Sequence, residues 1–194
     1  MPGRSRIAAW ALWDCGATGM AAIVTTFVFS VYLTGSVGVH VSGQPSPASW
    51  LGRALALAGF VVAVLAPVTG VLVQASPRRR ATLTLLTLSA ATLTAAMSLI
   101  RPHPSYLLAG LALLAATAAC LDLATVPYNA MLRQLSTPRT SGRISGFGAA
   151  AGYFGSVLLL LVVYFGFVAG SGPRRGLLGI PADDGQNIRA AMLL

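Results

Sequence analysis

Five stretches of the chain stay apolar long enough to cross a bilayer, and short polar segments punctuate them. A membrane helix needs about 20 mostly apolar residues. The runs at 7–34, 50–74, 81–100, 106–126 and 144–168 meet that length, and a sixth begins near 188 and stops at 194. Turn chemistry fills the gaps: SGQPSP at 42–47, PRRR at 77–80, RPHP at 101–104 and GSGP at 170–173. The pattern predicts an all-α membrane protein, with one transmembrane domain over 1–194 and no soluble domain between the spans.

Composition agrees. Of 194 residues, 56% are hydrophobic and only 9% charged, with mean hydropathy +0.77. A soluble domain of this size needs far more surface charge, so the expected partner is the lipid bilayer. The net charge of +9 comes from thirteen arginines and no lysine. They are scattered between apolar runs rather than gathered on one soluble face, which argues against nucleic acid. With a cytoplasmic N-terminus the inside segments hold eight arginines and the outside ones five, so arginine bias favours that orientation in a multi-pass cell-membrane protein. The first apolar run is too long for a cleaved signal and reads as an uncleaved span. Cys15 and Cys120 lie inside apolar runs, as small buried hydrophobes do. The dispersed carboxylates and unclustered His40 and His103 offer no metal set, cofactor site or nucleophile–base pair, so no enzyme is expected. Asp183 and Asp184 read as a solvated turn.

Two carboxylates fall within spans. An ionised group at membrane depth is costly and turns toward the bundle interior or a wet cavity. Asp14 opens a stripe with Thr18, Thr25 and Tyr32, spaced to hold one face of an α-helix. Lining of a substrate or proton pathway is one reading of this stripe; a structural hydrogen bond at Asp14 to a neighbouring helix, or its nearness to the cytoplasmic interface, is the other. Asp122 lies in the fourth span, five residues before Pro127, which should kink that helix; Arg133 or one of Arg78–Arg80 is a candidate partner. The Arg78–Arg80 cluster also suits anionic headgroups. The hydroxyl-rich third span reads as Thr and Ser bonding back to their own helix. Overlapping small-x3-small pairs around Gly148, Gly152 and Gly155 predict a helix-packing face on the fifth span.

Four stretches, in order, resemble the major facilitator superfamily, in the branch long labelled "unknown major facilitator" and related to the autophagy-linked vacuolar amino-acid effluxer. Trp10, Ala11, Leu12, Trp13 and Asp14 resemble its opening helix. Gly70, Arg78 and Arg79 match its signature loop between helices two and three, whereas Gln74, Ala75 and Pro77 depart from it. Tyr128, Asn129, Gly142, Arg143, Ser145, Gly146, Gly148, Gly152, Tyr153 and Gly155 resemble the loop and helix after span four. The stretch from Gly176 resembles the loop entering helix six. The resemblance implies the N-terminal six-helix half of a major facilitator fold, with its sixth helix truncated. It implies secondary transport of a small solute, amino-acid-like, by alternating access, with Gly70, Arg78, Arg79, Asp122 and Arg143 as cytoplasmic gate groups. Such a fold needs a second half at its substrate interface. The alternative is therefore a membrane fragment, truncated or split, that transports nothing without a missing C-terminal half.

Overall fold

The computed structural model describes residues 4–38, 45–74 and 76–194. Among the described residues five helices are long and apolar enough to cross a membrane: Ser5–Val37, Pro47–Leu72, Pro77–Leu99, Pro104–Leu135 and Ser141–Val168, hereafter the first to fifth spans. By helix length and hydropathy the chain is a multi-pass membrane protein. A short helix, Gln186–Ala191, follows. Before it, strands β1 (Arg174–Arg175) and β2 (Ile180–Pro181) form a minimal antiparallel ribbon within an otherwise helical chain. His40, Ala75 and residues 42–44 of the first turn segment lie outside the described residues.

Local signals set the helix starts. Ser46 caps the second span by accepting from the Ser49 amide, with Pro47 in the first turn, where its missing N–H costs nothing. The fourth span departs from the pattern-based boundary. It runs through Pro127 and ends at Leu135 rather than 126. Pro127 and Tyr128 are both buried, so packing at this turn outweighs the proline's lost hydrogen bond. The arginine-bearing loop thereby shrinks to 136–140, and Arg133 belongs to a helix.

The first span is not uniformly α-helical. Two π-helical stretches, Ala22–Phe27 and Leu33–Val37, interrupt it, and Val28 between the first of these and the next α-turn has φ −114°. Wider turns shift the side-chain register. A face defined by Asp14 and Thr18 is therefore not continued by residues seven and fourteen positions further on.

The fourth span is the hub. It packs against the second and third spans and touches the first and fifth. Half of its most apolar stretch is buried, against 6% for the second span, whose side chains mostly face outward. Phe60, Val64, Val68 and Val71 of the second span are exposed, as expected of a surface solvated by acyl chains. The first and fifth spans form the other close pair. Gly148, Gly152 and Gly155 are buried on the fifth span, and a Cβ on each would run into Trp10, Asp14 and Cys15 respectively. Bare backbone on one helix thus admits full side chains from the other.

Two clusters of buried apolar side chains result. The larger lies toward the end remote from the N-terminus and includes Phe29, Leu33, Met97, Leu114 and Phe167. The smaller, at the N-terminal end, centres on Trp10, Ala11 and Tyr128.

The glycine seam gives a contrast of sign. Gly155→Ala meets Cys15 backbone as well as its side chain. It should destabilise the bundle by about 1–3 kcal/mol. Gly146→Ala, with open space around the new methyl, should gain up to about 1 kcal/mol of helix propensity. Thermal melting of purified protein in detergent reads both, and equal shifts would refute the seam.

Candidate functional site

The polar centre of the N-terminal half is the Asp14 seam. The helix starts at Arg4, so Asp14 lies ten residues in, about 15 Å along the axis. That is deeper than a start at Ile7 implies. Asp14 is half-buried and hydrogen-bonded to Thr18, one turn on. Across from it, a Cβ on Gly152 would sit 2.7 Å from Asp14 Oδ2 and 3.1 Å from Thr18 Oγ1. The carboxylate therefore rests against naked backbone of the fifth span, shielded there from hydrocarbon.

Tyr128, from the fourth span, fills the adjoining layer. Its ring stacks on Trp10 at 4.4 Å between centroids and 3° between planes, and meets Trp13 at 4.6 Å and 30°. Trp10 Nε1 donates to the Tyr128 carbonyl at 3.1 Å, and Trp13 Nε1 donates to Thr87 Oγ1 of the third span at 3.0 Å. Four helices converge here: Trp10 and Trp13 from the first, Thr87 from the third, Tyr128 from the fourth and Gly148 from the fifth. The Tyr128 hydroxyl is buried without a hydrogen-bond partner among the described residues, and lies 3.2 Å from where a Cβ on Gly148 would be.

The rest of the predicted stripe lies elsewhere. Thr25 is half-buried in the first π-helical stretch. Tyr32 is 4% exposed, and its hydroxyl donates to the Ile100 carbonyl at 3.0 Å. Gly185, at φ +64°, lies directly on the Tyr32 ring, where any side chain would collide. Asn187 Nδ2 donates to the Phe167 carbonyl at 3.1 Å, and Arg189 Nε to the Ser98 carbonyl at 2.5 Å. These contacts lash the final helix across the first, third and fifth spans. Tyr32 thus belongs to a plug at the far end, remote from Asp14.

The gate candidates separate too. Arg79 donates from Nε to the Val73 carbonyl at 2.6 Å, from Nη2 to the Gln74 carbonyl at 2.8 Å, and from Nη1 to the Ala130 carbonyl at 3.5 Å. It caps the C-terminus of the second span, where orphan carbonyls and the helix dipole favour a cation, and ties that end to the fourth span. Gly70 lines the same cavity as Arg79. Arg78 and Arg143 are exposed and do not join them. Asp122 lies on the outward face of the fourth span and has no charged partner among the described residues. With Thr125, Asn129 and Arg133 it makes an exposed polar row at spacings of three, four and four. In the third span, Thr92 and Thr94 bond back to their own helix as the pattern predicts, whereas Thr87 receives Trp13.

Among the described residues no group of three or more His, Cys, Asp or Glu side chains is placed to hold a metal. Comparison with family models, curated proteins and solved structures gives no match. Trp10, Trp13, Tyr128, Asn129 and Arg133 were not among the pathway or gate residues read from the sequence. The i, i+3 pair of tryptophans was legible as one helix face, but its partner 118 positions away was not.

The aromatic layer yields a paired expectation. Tyr128→Phe removes an unpartnered hydroxyl and should leave stability within about 1 kcal/mol of the parent. Tyr128→Ala empties the space between two indoles and should cost about 3–5 kcal/mol. Melting of the detergent-purified variants, followed by tryptophan fluorescence, checks this; a large loss in Tyr128→Phe would mean the hydroxyl has a partner.

Proposed function

We propose that the chain is the N-terminal half of a secondary transporter of the major facilitator type, moving a small amino-acid-like solute by alternating access. The supporting observation is the Asp14 seam: a half-buried carboxylate with Thr18, placed against Gly152 in an otherwise apolar bundle. An intramembrane carboxylate at a helix junction is a binding group for a proton or a cationic solute before it is anything else. The order of the four resembling stretches and the five apolar helices fit this reading. The N-terminal end, with Arg6, Arg78–Arg80, Arg133, Arg139 and Arg143, is assigned to the cytoplasm of a cell membrane by arginine bias.

The exposed row of the fourth span favours one refinement. Asp122 stands thirteen residues before Leu135, about 20 Å from the helix end. Lipid does not solvate a carboxylate there. A second six-helix half packed on this face at the level of Asp122 and Thr125 accounts for those two, leaves Asn129 and Arg133 at the span end clear, and makes the five-span unit inactive alone.

Two outcomes are expected. Reconstituted alone in liposomes, the 194-residue chain should give no amino-acid uptake above empty vesicles; robust uptake would overturn the need for a second half. In the two-half transporter, Asp14→Asn should cut uptake about ten- to hundredfold, as for loss of a charged hydrogen-bonding group. Unchanged uptake with unchanged response to an imposed proton gradient would remove Asp14 from the pathway.

A further inference from the structure

A second site lies at the N-terminal end, between the second and fourth spans. A cavity of about 400 Å³ is lined there by Gly70, Val73, Gln74, Arg79, Asn129 and Arg133, with Val126 and Ala130 behind them. Two guanidinium-bearing residues share it, and no carboxylate lines it. Arg79 is fixed in place by three carbonyls, which uses three of its five N–H donors and leaves two. Arg133 has no hydrogen bond or ion pair among the described residues. Asn129, one turn before Arg133 on the same face, adds an amide. The cavity thus gathers cationic and amide donors with no carboxylate to neutralise them.

Its surroundings say what kind of anion fits. Gln74 continues a row on the second span made by Val64, Pro67 and Val71, at spacings of three, four and three. All three are exposed. A polar pocket at a span end, with an exposed apolar wall running from it toward the membrane centre, matches a phosphate headgroup with its acyl chains. A free anion has no use for the wall. We infer that this cavity binds the headgroup of an anionic phospholipid, with Arg79 and Arg133 on the phosphate and the acyl chains along Val64, Pro67 and Val71. The inference does not depend on what the protein transports. The bound lipid ties the second span, the least buried of the five, to the fourth.

Native mass spectrometry of the purified full chain in detergent tests it, with phosphatidylglycerol and phosphatidylcholine of matched acyl chains as probes. Wild type should retain phosphatidylglycerol about fivefold or more over phosphatidylcholine, roughly the gain of one arginine at a lipid surface. Arg133→Ala should bring that ratio down to about one, and Arg133→Lys should restore most of it. Arg139→Ala, in the exposed loop at the same end and outside the cavity, should leave it unchanged. Equal retention of the two lipids by wild type, or equal losses in Arg133→Ala and Arg139→Ala, would overturn the site in favour of diffuse charge. Displacement of the lipid by millimolar inorganic phosphate would overturn the headgroup in favour of a free anion. A polypeptide partner that excludes the lipid at Arg133 would overturn it equally. If Arg133→Ala loses monodispersity, Asn129→Ala reads the same cavity, and an unchanged ratio there counts against the site.

Discussion

The close approach of the first and fifth spans is the contact on which the remainder of the bundle depends. In a bilayer there is no hydrophobic drive to bring two apolar helices together, because lipid tails are as apolar as the helices. Association then rests on dispersion, which falls away within an ångström of lost contact. Gly148, Gly152 and Gly155 remove the side chains that would hold the helices apart. Three consecutive layers follow from that choice. Trp10 reaches the level of Gly148 and stacks on Tyr128, Asp14 lies on Gly152, and Cys15 fits over Gly155. Side chains at those three positions would push the first span away, open the aromatic layer and turn Asp14 toward lipid. Packing and polarity are therefore one problem here, solved by the same residues.

The two ends of the bundle are built differently. At the far end the final helix is lashed down by Asn187 and Arg189, and Tyr32 is locked to the Ile100 carbonyl under Gly185. That end is a packed plug with the larger apolar cluster behind it. At the N-terminal end the apolar cluster is small, the aromatic layer ties three helices together, and Arg79 caps the end of the second span. The fourth span joins the two faces of this arrangement. Its inward side carries Tyr128 and its outward side carries Asp122, Thr125, Asn129 and Arg133. Within the proposed transporter, motion of one half against another would act on Asp122 and Thr125 of that outward side, while the glycine seam keeps the first and fifth spans moving as a unit.

The number and order of the spans were legible from hydropathy alone, because length and apolar run are what a bilayer selects. The small-residue face was legible as a repeat spacing, though not which helix would occupy it. Three features were hidden for physical reasons. The α-helical spacing of Asp14, Thr18, Thr25 and Tyr32 implied one face, but π-helical turns at Ala22–Phe27 and Leu33–Val37 break the register, and nothing in the composition of AIVTTF or LTGSV announces them. The apolar run ended at 126, yet with Tyr128 buried against two tryptophans the helix continues through Pro127 to Leu135. Arg79 was legible as a charge in the loop, but not as the cap of the second span. The Tyr128 layer rests on a contact between positions 118 apart, which a single chain does not spell out.

The central functional claim is that the Asp14 seam opens to a polar pathway and is not a dry structural bond. Thiol accessibility tests it most directly. In a Cys15→Ser, Cys120→Ser background, a cysteine at position 14 is exposed to a small charged methanethiosulfonate reagent in sealed membranes, with a cysteine at the outward-facing Phe60 position as the lipid control. Such reagents modify the thiolate, which forms only where water reaches. The account predicts modification at position 14 and protection at position 60. If position 14 is as inert as position 60, the seam is dry, and Asp14 is a structural group rather than part of a pathway.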